Sequence, residues 1–275
     1  NVYSLGGLVW VLALFYTPYV YLFTVGPMRS MDPALEDASR VHGANAFSTS
    51  LRITLPLLTP AILSALLLAF VTSSEVFDIP IMLTTPVNIP TLSTLIYTSV
   101  QYPPDYGRAA AISVVLVSIT MLGVWLQRKV QGGRSFATIT GKAYRPRVVQ
   151  LGRWKYIALT VEVAYLLVAV VLPLAALFLV AVSAVWTGTF KPSLFTWDNF
   201  RYVLFSYDLT QRALRNSLVL ALTGATAGTL IAFILSYAIH RTGYSWRGWS
   251  EVITAIPIGI PGIVLALGFL FVSVR

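Results

Sequence analysis

Residues 57–76 read LLTPAILSALLLAFVTSSEV, an apolar run whose only charge is Glu75, next to its end. About twenty apolar residues in helical form cross the hydrocarbon core of a bilayer. The run shows no alternation of apolar and polar positions, so it is not a strand of a membrane barrel. A spanning segment must satisfy its own backbone, which leaves helix as the reading. Working outward, similar runs recur at about 5–25, 109–126, 157–186, 217–239 and 252–272. The expectation is an all-α membrane protein with about six transmembrane helices.

Composition points the same way. Of 275 residues, 57% are hydrophobic and only 11% charged, where soluble chains carry roughly a quarter charged residues. With no cysteine, disulfides and thiolate metal sites are excluded. His42 and His240 lie too far apart in sequence for a metal-ligand pair, so no metal site is expected. The net charge of +9 sits in short segments between apolar runs. That distribution encodes membrane topology and not a nucleic-acid surface.

Lys and Arg then set the orientation. The segment joining the third and fourth runs carries Arg128, Lys129, Arg134, Lys142, Arg145, Arg147, Arg153 and Lys155 with no acidic residue, so it is placed inside. Alternation puts 27–56 and 240–251 on the same side, giving thirteen basic residues inside against five outside. The outer segments, 77–107 and 187–215, are rich in Pro, Asn, Asp and Tyr and read as turns. Beginning at Asn1-Val2-Tyr3 without an initiator Met and stopping at Arg275 after an apolar run, the sequence reads as an internal piece of a longer protein.

One inner segment carries a motif. Asp32 suits a helix N-cap and Pro33 the first helical position. Leu35, Ala38 and Val41 or His42 share a small, apolar face, and Gly43 permits a sharp exit. Asp37-Ala38-Ser39, then Gly43 after three residues, then Ile53-Thr54-Leu55-Pro56 after nine more, resembles the E-A-A, G, I-x-L-P pattern of type I permease subunits of ATP-binding-cassette importers. The chain departs from it by Asp37 for Glu and Ser39 for the second Ala, which keep charge sign and small size.

That resemblance implies a type I importer permease fold. It also implies a coupling loop in which Asp37, Ala38, Ser39 and Gly43 shape the contact with a cytoplasmic ATPase dimer, while Ile53, Leu55 and Pro56 set the return into the membrane. Asn216-Ser217 and Ile256-Pro257-Ile258-Gly259-Ile260-Pro261-Gly262 resemble the opening of a second such unit. The linker around 136–142 and 149–154 is similar to that of fused double permeases of the iron(III) and thiamine importers. The implied division is 1–130 as the C-terminal part of one permease unit, 131–153 as a basic cytoplasmic linker, and 154–275 as the N-terminal part of a second. The implied setting is the bacterial inner membrane, with a periplasmic solute-binding protein, lipid and the ATPase as partners. This chain would bind no cofactor, ATP being used by the partner subunit. Ferric iron is the first solute the resemblance suggests.

Ionisable residues at membrane depth are candidates for function. Glu75 and Asp78 either line the outer mouth of a substrate path or form a solvated pair at a helix exit. Glu162 either acts within the fourth span or reaches the inner interface near Arg153 and Lys155. Pro257 and Pro261 break the sixth run, either bordering a path or bending the helix. Gly224 and Gly228, with Ala225 and Ala227, suit close helix packing. No G-x-x-x-x-G-K-[ST] pattern and no nucleophile–base constellation is present, so the chain is not itself expected to be an enzyme. The alternative reading is a gradient-driven secondary transporter, which would depend on buried carboxylates, and few exist here.

Overall fold

In a computed structural model of the chain, residues 2–131, 152–188, 191–241 and 246–273 are described. Most of the basic linker at 131–153 therefore lies outside the described residues. Two units separate by contact: 1–150 with 255–275, and 151–254.

The first unit begins with helix α1 (Leu5–Ser30), whose N-cap Ser4 accepts the Gly7 amide at 3.0 Å. Next come the short α2 (Pro33–Val41) and α3 (Ala46–Thr49). A single π-helical turn, Ser50–Thr54, leads from α3 into α4 (Leu55–Glu75). Beyond the C-terminal end of α4, α5 (Asp78–Thr84) and α6 (Leu92–Val100) replace the turns expected from Pro and Asn. The reason for α6 is a capping box, in which Thr91 and Thr94 each satisfy the other's backbone amide. Asp105 starts α7 (Tyr106–Gln131) by accepting the Arg108 amide at 2.9 Å. That amide, with the Arg108 guanidinium 3.3 Å away, holds the Asp105 carboxyl below the usual carboxylate range.

Hydroxyls inside the spans fold back on the preceding turn, so they stay satisfied without water. Thr17 donates to the Ala13 carbonyl at 2.7 Å, Thr72 to Leu68 at 2.8 Å and Ser113 to Ala109 at 2.7 Å. Helix α4 packs on both α1 and α7, and α6 packs on α7. Gly123 of α7 sits against Val71 of α4 so closely that a Cβ there would lie 2.7 Å from the valine Cγ2.

The sixth apolar run is not one helix. It consists of α12 (Arg247–Ala255), a 3-10 turn at Ile256–Gly259, and α13 (Gly262–Ser273). Pro257 and Pro261 lack the amide a continuous helix needs, which explains the break. Among the described residues, five helices are long and apolar enough to cross a membrane, and α13 is a shorter apolar helix. Ile96, Ala109, Leu116 and Leu267 form a buried core shared by α6, α7 and α13. At the break, the fully buried Thr120 hydroxyl donates to the Gly259 carbonyl at 2.8 Å. Removing that donor leaves a buried carbonyl unpaired, a loss of about 1–3 kcal/mol. Thr120→Val is therefore expected to lower the thermal midpoint of the detergent-solubilised full-length protein. Thr120→Ser should stay near wild type.

In the second unit, α8 (Trp154–Leu166) and α9 (Leu172–Ala181) are joined by a π-helical turn at Leu167–Val171 into one span. Asn199 Nδ2 caps its outer end by donating to the Ala181 and Ser183 carbonyls at 3.0 and 2.9 Å. The short α10 (Asp198–Arg201) then leads through a π-helical turn at Tyr202–Ser206 toward α11 (Asp208–Arg241). This last helix starts well before the expected 217. Arg212, Arg215 and the Asn216-Ser217 pair thus lie within it instead of ahead of it.

Candidate functional site

The loop between α1 and α4 is built from the backbone outward. Asp32 Oδ1 accepts the Ala34 amide at 2.9 Å, with Pro33 at the first helical position, as the sequence suggests. At the other end of α2 the Gly43 amide donates to the Arg40 carbonyl at 2.9 Å, and the Ala44 amide to Ser39 at 3.2 Å. This crossed pair is a Schellman motif, whose C′ residue must be left-handed. Gly43 meets that demand with φ of +83°. A glycine at this place in the motif therefore has a backbone reason. His42 Nδ1 donates to the Ala38 carbonyl at 2.8 Å, finishing the helix end.

Leu35, Ala38 and Val41 do share a face, and all three are exposed, Val41 by 84%. Phe47, on the next short helix, is exposed by 75%. Asp37 and Ser39 are half-buried beside that face, as is Ile53, whereas Leu55 and Pro56 are exposed at the start of α4. A small loop that presents several bare apolar side chains is suited to docking into a cleft of a partner.

Sequence reasoning missed how this loop is tied to the membrane span. The Thr54 hydroxyl donates to Glu36 Oε1 at 2.9 Å, and the Ser39 and Thr49 hydroxyls lie 3.0 Å apart. No spacing rule joins residues ten and eighteen positions apart, so only the fold reveals these bonds.

At the far end of α4, Glu75 is the last helical residue and Asp78 opens α5. One Glu75 carboxyl oxygen is buried without a hydrogen-bond partner, while Asp78 is exposed. Tyr16 of α1 interacts there with the side chains of Thr72 and Ser73. Among the described residues, no three His, Asp or Glu side chains group as a metal ion would require. Pro261 is fully buried, and a Cβ on Gly259 would lie 3.1 Å from Val124 and 3.3 Å from the Met121 sulfur. Pro257, by contrast, is exposed. The break thus packs against α7. Glu162 is exposed on α8, and no described atom lies within 4 Å of a Cβ built on Gly224 or Gly228.

Comparison with known proteins agrees with this architecture. Residues 2–134 match the family model described as the binding-protein-dependent transport system inner membrane component. The ferric transport system permease protein FbpB of Actinobacillus pleuropneumoniae is 24% identical over 272 residues, covering 98% of this chain and 39% of that protein. The putative ferric transport system permease protein FbpB 1 of Haemophilus influenzae is 23% identical over 272 residues, covering 98% of this chain and 42% of its own length. The inner membrane ABC transporter permease protein YcjO of Escherichia coli is 32% identical over 114 residues, 42% of this chain and 38% of that protein. The chain thus spans about two fifths of the length of these relatives. No solved structure matches it. Residues 2–134 are thus similar to the inner membrane components of binding-protein-dependent transport systems, and the chain that carries them is a multi-pass, all-α membrane protein.

Proposed function

We propose that this chain forms part of the membrane path of an ATP-driven importer whose solute is ferric iron. Support for the importer comes from the α2 loop: a small helix closed by a Schellman glycine, with a bare apolar face. Support for iron comes from likeness to two ferric transport system permeases along almost the whole chain. A periplasmic binding protein delivers the solute to the outer side, and a separate cytoplasmic ATPase dimer docks on Leu35, Ala38, Val41 and Gly43. Asp37 and Ser39 flank that contact, and Ile53, Leu55 and Pro56 carry the chain back into the membrane. The chain binds no cofactor of its own.

In this reading 1–130 is the back part of one permease unit, 131–153 the linker, and 154–275 the front part of a second. Glu75 and Asp78 stand at the outer mouth, where negative charge attracts a cation. The buried, unpartnered Glu75 oxygen is also what a gradient-driven transporter would use, so the two readings need a direct test. The full-length protein solubilised in detergent is expected to bring down an ATPase subunit. Asp37→Lys, which reverses a charge beside the apolar face, is expected to weaken that association about tenfold. If the wild-type protein takes up iron with no ATPase bound, while Glu75→Gln stops uptake, the gradient-driven reading replaces this one.

A further inference from the structure

The two side-chain bonds behind α2 have a geometric requirement. Glu36 and Ser39 are three residues apart, so they occupy one face of α2, adjacent to the apolar face of Leu35, Ala38 and Val41. Their partners Thr49 and Thr54 are five residues apart on the helix that enters the membrane. In an α-helix, positions five apart point roughly 140° away from one another. A single face of α2 could not meet both.

The segment between them is the π-helical turn Ser50–Thr54, where the Leu55 amide reaches back five residues to the Ser50 carbonyl. A ladder of that period brings residues five apart toward the same side. Isolated π-turns of this kind are uncommon inside α-helices. Here the turn aligns Thr49, which is 2% exposed, and Thr54 beneath α2. Turn and bonds therefore hold each other: relaxing the turn to α would swing one hydroxyl away from its partner.

We propose that Glu36 and Thr54 are positioning residues that fasten α2 to α4 through this π-turn, so that displacement of α2 reaches the outer end of the span instead of dissipating in the loop. This rests on the importer reading, in which the ATPase displaces α2. In the bond between Thr54 and Glu36 the hydroxyl donates to a carboxyl oxygen at 2.9 Å. The bond also lies on the partly buried face of α2, beside the exposed apolar face and not on it, so its removal should spare docking.

The test uses the full-length protein with its ATPase subunit, in a background free of cysteine except for Ser73→Cys near the outer end of α4. The rate at which a thiol reagent labels that position is measured with and without ATP and magnesium. A pull-down of the ATPase subunit runs alongside. In the parent, ATP is expected to change the labelling rate. Thr54→Val and Glu36→Leu should keep the ATPase subunit and reduce that ATP-dependent change about tenfold, and Thr54→Ser should restore it. A Thr54→Val protein that responds to ATP like its parent overturns the proposal, as does one that loses the ATPase subunit, since Thr54 would then act on docking. A parent that binds the subunit but shows no response to ATP also overturns the proposal alone. A parent that binds no ATPase subunit overturns the importer reading beneath it.

Discussion

Gly43→Arg is expected to leave the membrane spans folded and to weaken strongly the docking proposed between α2 and an ATPase subunit. The backbone at this position has φ of +83°, where any side chain with a Cβ costs about 1–2 kcal/mol. Open space surrounds it, with no atom within 4 Å of a built Cβ. Alanine is therefore opposed by backbone conformation alone, and asparagine, which tolerates left-handed geometry, is opposed less. Arginine adds a long charged chain at the edge of the bare apolar face formed by Leu35, Ala38 and Val41. The expected order of association with the ATPase is wild type, Gly43→Asn, Gly43→Ala, then Gly43→Arg. The last should be roughly a hundredfold weaker, because docking would leave the added charge unpaired against an apolar surface. Binding titrations of the purified subunit against the four proteins in nanodiscs would check this order. Equal affinities would remove the loop from the interface.

Gly123→Val should have the largest effect on stability. The backbones of α4 and α7 approach at this position, and an added Cβ would meet Val71 Cγ2 at 2.7 Å. Val71 is itself only 1% exposed, so it has no room to move aside. Helices in lipid hold together largely through close packing. Overpacking such a contact costs typically 1–3 kcal/mol. Thermal unfolding of the full-length protein in detergent should show a clear drop in midpoint for Gly123→Val. Gly224→Val serves as the comparison, since nothing described lies within 4 Å of its Cβ. Similar midpoints for Gly123→Val and wild type would mean that α4 and α7 separate more easily than their contact implies.

The positions of the spans were legible because apolar runs of that length leave the chain no other solution in lipid. Their ends were less so. The fifth helix begins at Asp208 because Asp208, Arg212 and Arg215 extend the helix beyond the apolar stretch, and a search for apolar runs discards such residues. Pro257 and Pro261 predict a broken sixth run, and the chain does leave α-helix at 256–261. The packing of that break on Thr120, Met121 and Val124 could not be seen, because that contact joins distant parts of the sequence. Around the candidate site, local features were readable: the Asp32 cap, the apolar face and the glycine exit all follow from near neighbours. The Glu36–Thr54 and Ser39–Thr49 bonds were not. They depend on a π-helical turn at 50–54, for which Ser-Leu-Arg-Ile-Thr gives no compositional sign.

The hydroxyl of Thr120 and the carbonyl of Gly259 are 139 positions apart in sequence. A ribosome adding roughly 5–20 residues per second delivers Gly259 on the order of ten seconds after Thr120. Throughout that interval the newly inserted α7 waits in the bilayer with part of its packing face bare, as does the Leu267 side of the core. Lipid tails or an insertase must cover that face until α13 arrives. The packing of α7 is thus completed by a segment synthesised 139 residues later, and stalled translation in between would strand an unfinished intermediate in the membrane.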